Sequence, residues 1–198
     1  MNLGDRILNP IWPDIRTQRE TLASLASYTP VSRKFVRYQS QSSPPSTDLL
    51  PALACDLRVM ADSADLKQSN TSYGPSIPAG GTFTLPRLVG LARALEISML
   101  DEPISAVRAL ELGLVNKVVP QTTLLNEAQE LADRVARMPI VTLSRVKRLM
   151  NQSFYTSLED QLESERQEIA ASANSVEGRE GIASFLEKRK PHFMTSVS

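Results

Sequence analysis

Apolar residues recur at helical spacing through the second half of the chain, whereas in the first quarter prolines and polar residues break every such pattern. The regular part begins at Asp48, which can cap a helix; Pro51 is tolerated in a first turn, and Leu49, Leu50, Leu53 and Ala54 supply one apolar face. A short helix is predicted there, followed by a strand over 56–61 (DLRVMA), whose polar–apolar alternation suits a half-buried strand of a mixed fold. Leu91, Ala94, Leu95, Ser98 and Met99 fall at i, i+3, i+4, i+7 and i+8 and predict a helix with one apolar stripe that ends before Pro103. Residues 104–113 read as a short helix closed by Gly113, and 114–119 as a strand ended by Pro120.

The last third is predicted helical. Leu124, Leu125, Ala128, Leu131, Ala132 and Val135 form an amphipathic stripe that Pro139 stops, and Leu143, Val146 and Met150 begin another. Ser157 with Asp160 is a capping-box analogue ahead of Leu158, Leu162 and Ile169. Polar residues outnumber apolar ones in that helix, so it either covers another element or subunit with a narrow strip or stands solvated. Ile182, Phe185 and Leu186 lie on a final turn or two before the basic run Lys188, Arg189, Lys190.

Between strand and first stripe lies GPSIPAGGTFTLPRLVG, residues 74–90. Gly80 and Gly81 sit between a proline-rich bend (Pro75, Pro78) and a helix-like run, so the backbone can turn tightly and approach a bound group closely; this suits a site wall rather than a linker. Residues 1–48 have a different character. Pro10, Trp12, Pro13, Pro30, Pro44 and Pro45 interrupt them, and 39–47 is a Ser/Gln/Pro tract. From 21 to 47 there is no acidic residue, while Arg33, Lys34, Arg37 and seven serines are present, a composition like an organellar transit segment; the alternative is a solvated extension.

A chain of 198 residues with 41% hydrophobic content can bury a core in one domain or a domain plus an appendage. Its 22 basic and 22 acidic residues balance, which excludes a global field favouring nucleic acid or a membrane surface. Cys55 is the only cysteine, so an internal disulfide and a multi-cysteine metal framework are excluded; in its apolar run it is expected to be a buried thiol. No stretch approaches the roughly 20 apolar residues a bilayer crossing needs. His192, the sole histidine, has no serine, cysteine or acid positioned beside it in sequence and reads as a surface residue. Asp101 and Glu102 are expected in a solvated turn, and Asp62 and Asp65 in surface loops. No metal-ligand spacing occurs, and Gly80–Gly81 lacks the following Lys-Ser/Thr of a nucleotide P-loop.

Four segments in order, ALACDLRV (52–59), IPAGGTFTLPRLVG (77–90), ISAVRALELGLVNKVVP (104–120) and GREGIASFLEKRKPHF (178–193), resemble the enoyl-CoA hydratase/isomerase family, the crotonases. The resemblance covers about 49–193 and implies an α/β class: a partial crotonase-like strand-strand-helix spiral with a helical C-terminal part. It divides the chain into an atypical extension (1–48), a partial core (49–120) and a helical, oligomerisation part (121–198). The first half of the family's spiral has no visible counterpart in 1–48. In such proteins two backbone N–H groups hold a thioester carbonyl and stabilise its oxyanion, and one or two glutamates move protons. By the resemblance, Leu50 and Asn70 occupy the two glutamate positions, leaving the catalytic residues unknown. Thr47 is the oxyanion-hole candidate, beside the negative charge of Asp48, and Gly80, Gly81, Phe185 and Lys188 are the substrate-binding candidates. The resemblance implies an acyl-CoA or enoyl-CoA ligand, no separate cofactor because CoA is part of the substrate, no metal, and a trimer-type homo-oligomer. Three readings stay open: an enzyme acting on acyl-CoA thioesters, a non-catalytic CoA-ester-binding or subunit-assembly protein, and a truncated inactive product. Mitochondrial and cytoplasmic locations both remain open; the terminal Thr195–Ser198 is not the Ser-Lys-Leu type that directs proteins to peroxisomes.

Overall fold

The computed structural model describes residues 35–38, 49–53, 55–68, 70–78 and 80–193. Thr47, Asp48, the tract 39–47, most of the transit-like stretch and 195–198 lie outside the described residues. The chain divides into two compact units, whose described parts run over 35–128 and 129–193.

The first unit is built on a three-stranded parallel sheet. Strand β1 (Phe35–Tyr38) pairs with β2 (Leu57–Ala61), which pairs on its other side with β5 (Lys117–Val119). Periodicity predicts no element before Asp48, so β1 is an addition; it is a four-residue piece whose partner lies far along the chain. The expected half-buried β2 is instead buried from Arg58 to Ala61. A central strand with parallel neighbours on both edges has both faces covered, which is why alternation misleads here. Arg58 keeps its charge inside by spending its donors on backbone carbonyls: Nε donates to Leu114 O at 2.5 Å and Nη1 to Cys55 O. Burial pushes its guanidinium below the ordinary value, partly opposed by Cys55 and Asp56. Asn116 locks the same point of the sheet, its Oδ1 accepting from Arg58 N at 2.8 Å and its N donating to Arg58 O at 2.9 Å.

Helix α1 (Leu49–Leu53) precedes β2, and the chain turns between them at Cys55, whose N donates to Ala52 O at 3.1 Å. Cys55 is therefore half-buried at a bend, not enclosed as its apolar run suggests. After β2 come β3 (Asp65–Leu66) and a 3-10 turn (Thr71–Tyr73), then α2 (Gly81–Val89) and α3 (Leu91–Leu100). The predicted α3 forms, but it buries Ala94 and Ile97 and leaves Leu91, Leu95 and Met99 exposed, because α2 and the 3-10 turn cover only one side of it. Residues 104–105 form β4, antiparallel to β3, before α4 (Ala106–Glu111), so the expected helix from Ile104 starts two residues late. Gly113 then closes the turn with φ of 73°, a conformation that favours glycine. The core of this unit is Leu49, Val59, Met60, Leu66, Leu85, Ala109 and Leu114, with Leu124 and Ala128 added by the start of α5 (Leu124–Ala136).

The second unit is helical: the end of α5, then α6 (Ile140–Gln152), α7 (Leu158–Ala173) and α8 (Val176–Leu186). Polar groups set its joints. Ser157 caps α7 as predicted, its Oγ accepting from Asp160 N at 3.1 Å. Ser175 caps α8 through Gly178 N at 2.9 Å, and Glu177 Oε2 accepts from Val141 N at 3.1 Å at the positive end of α6. Glu168 lies between Arg145 and Arg148. The final helix is longer than the expected turn or two; its two glycines and sparse apolar residues hide its period.

Candidate functional site

The segment that leaves β3 turns the chain through Gln68 and Asn70 into the 3-10 turn. That turn is tied to the C-terminal end of α3: Thr71 Oγ1 donates to Ser98 O at 2.6 Å, while Ser72 donates to Asp101 Oδ2 from its N at 3.0 Å and also from its hydroxyl. Asp101, expected in a solvated turn, is therefore buried, and its left-handed φ of 48° ends α3 as its N donates to Ile97 O at 3.1 Å. A carboxylate holding two donors from a distant segment is invisible to local pattern.

Asn70 is 5% exposed and its Nδ2 donates to Gln68 O at 2.7 Å. Gln68 is 1% exposed, and neither its Oε1 nor its Nε2 has a partner among the described residues. Each buried amide group left so costs about 1–3 kcal/mol. Sequence reasoning missed Gln68, since a lone glutamine in a polar stretch carries no signal until its burial is known.

Gly80 adopts φ of 74° and a Cβ there would meet nothing within 4 Å, so glycine is required by backbone conformation rather than by space. Gly81 is buried at the start of α2; Gly81 N donates to Pro78 O at 3.0 Å and Thr84 N to Gly80 O at 2.9 Å, fixing the tight entry. Leu50 belongs to α1, which packs against α2. The structure thus brings the backbones of the Leu50 and Gly81 helices together and ties the Asn70 turn to α3, itself packed on α2. A separate cleft between α3 and β4–α4 is lined by Arg93, Ile97, Leu100, Ile104, Arg108 and Leu112; no candidate site residue lines it. Its arginines are paired locally with Glu96 and Glu111.

In the helical unit Phe185 is 81% exposed near the end of α8. The helix closes with Lys188 N donating to Phe185 O at 3.2 Å and Arg189 N to Ser184 O at 3.0 Å, a Schellman-type end in which Lys188 takes the left-handed position, φ 54°, that glycine usually fills. The basic run is not uniformly solvated. Arg189 forms a bidentate pair with Glu180 at 2.6 and 2.9 Å and reaches Glu187 at 2.5 Å. Arg189 and the His192 N–H together hold the Glu180 carboxyl down at about 2. Asp62 and His192 are exposed as expected; Asp65 is exposed too, but it begins strand β3 rather than lying in a loop, because its backbone pairs with Ser105 of β4. Among the described residues no group of three or more His, Cys, Asp or Glu could hold a metal ion, and no helix is long and apolar enough to cross a membrane.

Residues 49–196 match the family model for enoyl-CoA hydratase/isomerase. The chain is 36% identical over 142 residues to 1,2-epoxyphenylacetyl-CoA isomerase of Escherichia coli K12, covering 72% of this chain and 54% of that protein. It is 32% identical over 144 residues to crotonyl-CoA hydratase of Syntrophomonas wolfei, covering 73% and 55%. The crystal structure of an enoyl-CoA hydratase from Polaromonas sp. JS666 matches with a TM-score of 0.81 at 29% identity, over 98% of this chain and 76% of that one. The chain spans about half the length of the curated relatives it matches. Its mixed α/β unit, its helical C-terminal part and the match over 49–196 agree: the chain belongs to the enoyl-CoA hydratase/isomerase family.

Proposed function

We propose that this chain holds an acyl-CoA thioester on a partial crotonase framework without the proton transfer that two glutamates perform in family members. Asn70 carries the reading. At a position where the resemblance expects a carboxylate it offers a buried amide, already committed to Gln68 O, and an amide cannot take up the proton. Leu50, at the other position, has no polar atom in its side chain.

The binding candidates keep their chemistry. Gly80 and Gly81 let backbone approach a ligand closely, and an exposed Phe185 ring suits an adenine face. The Lys188 ammonium suits phosphate as a compact point charge. Two observations favour Lys188 over its neighbour: it stands where glycine would fit with less strain, and Arg189 is already engaged by Glu180 and Glu187. Thr47 remains the candidate oxyanion donor. CoA enters as part of the ligand, with no separate cofactor.

A second reading, subunit assembly, is favoured by the helical unit. Among its described residues no apolar side chain is buried, while Leu158, Leu162, Ile169, Val176 and Leu186 stand exposed. Copies associating through these helices as a homo-oligomer of trimer type would cover them.

Calorimetric titration with butyryl-CoA tests the binding reading. The protein is expected to bind, and Lys188→Ala to weaken binding about tenfold, as loss of a charge-assisted hydrogen bond does. Absence of binding, together with a broad and uncooperative thermal transition, would instead mark an inactive fragment.

A further inference from the structure

The chain that leaves α8 turns back along the helix it has just formed. Glu180, at the start of the second turn of α8, accepts three hydrogen bonds from beyond the helix end: from Arg189 Nη1 and Nη2 at 2.6 and 2.9 Å and from the His192 N–H at 2.7 Å. The Phe193 ring completes the return, 3.9 Å from where a Cβ on Gly181 would stand. One exposed ion pair holds little by itself. A guanidinium fork on one carboxylate, closed by a backbone donor three residues further on, fixes a direction as well as a distance.

The loop so closed contains Lys188, whose backbone is left-handed at φ 54°. A residue other than glycine keeps such a conformation only where its surroundings over-determine it. Here the Schellman-type helix end holds Lys188 from one side and the Glu180 clasp from the other. The side chains of the basic run divide accordingly: Arg189 is engaged by Glu180 and Glu187, whereas the Lys188 ammonium has no ion pair or hydrogen bond among the described residues. A carboxylate beside a surface that takes phosphate would by its charge alone repel the ligand. Glu180 is useful there only through what it holds in place.

We infer that Glu180 is a positioning residue: its clasp on Arg189 and on the His192 N–H sets the backbone that presents Lys188 to the phosphates of a CoA thioester. Glu180 itself touches no ligand and acts through Lys188. This rests on the CoA-thioester reading above. Calorimetric titration of the full chain with butyryl-CoA tests it on Glu180→Gln, on Lys188→Ala and on the double variant, with Arg189→Lys as a second way to open the clasp while keeping the charge. Glu180→Gln is expected to weaken binding about fivefold. The sign discriminates, because removing a merely solvated carboxylate would strengthen binding of a phosphate-bearing ligand. Arg189→Lys loses the bidentate fork and is expected to weaken binding about threefold. The double variant is expected to bind no more weakly than Lys188→Ala, since a group that acts through another adds nothing once the other is gone. Unchanged or tighter binding by Glu180→Gln, in a protein that Lys188→Ala weakens, overturns the inference and leaves the CoA reading standing. Losses that multiply to about fiftyfold in the double variant show a purely structural acid and also overturn it. No binding by the unaltered protein overturns both.

Discussion

Met60 in β2 and Leu162 in α7 are apolar side chains of similar size with opposite surroundings: Met60 is 0% exposed and Leu162 is 54% exposed. The parallel-sheet unit closes its own core, with β2 enclosed by β1 and β5. The helical unit is instead jointed by caps and ion pairs (Ser157, Ser175, Glu177, Glu168), and its apolar stripes remain outside. Burial in one unit and polar jointing in the other are different sources of order. They answer differently to substitution, to dilution and to pH.

The largest difference is expected in the core. Met60→Ala should cost about 2–5 kcal/mol in urea unfolding, because it empties a site with no exposed wall. Gly178→Ala is the matching blow to the helical unit: the added Cβ would lie 1.9 Å from Ser172 O, a backbone atom that cannot swing aside. About 1–3 kcal/mol is expected, read as lost amide protection in α7 and α8 with the sheet unit unchanged. Lys188→Gly should work in the other direction, adding about 1 kcal/mol by relieving the left-handed lysine while weakening CoA-ester binding. Leu162→Ser should change the stability of a dilute single chain by less than about 0.5 kcal/mol. Light scattering should then show the variant less associated than the unaltered protein.

The smallest effect is electrostatic. Glu180 has its carboxyl held at about 2, below the ordinary carboxylate range, by Arg189 first and then by the His192 N–H. A depressed carboxyl contributes stability above its unfolded value and loses it as pH falls through the folded one. Exchange protection of the His192 amide should therefore hold above about pH 4.5 and fade toward pH 2, and Glu180→Gln should remove the dependence.

The helices from α3 to α7 were legible in sequence because their signals are local: apolar spacing, Pro139 as a stop, Ser157 as a cap. What was hidden depends on remote partners. Strand β1 exists through its pairing with β2, the two-residue β4 through β3, and the burial of Asp101 through Ser72 twenty-nine residues away. The exposed Leu91, Leu95 and Met99 show the converse limit, since a stripe reveals which side is apolar and not whether anything covers it. At the candidate site, motif order alone singles out Asn70 and Lys188 as the candidates that the resemblance implies. The committed amide of one and the left-handed backbone of the other are set by the fold and carry no local sequence signal.

Hydration of crotonyl-CoA by the unaltered protein, followed at a ligand concentration that saturates binding, tests the proposed loss of proton transfer most directly. On the proposed placement of Leu50 and Asn70 at the two carboxylate positions, no rate above the uncatalysed background is expected although the ester is bound. Steady turnover that survives Asn70→Ala would contradict this and place the proton-moving group elsewhere in the chain.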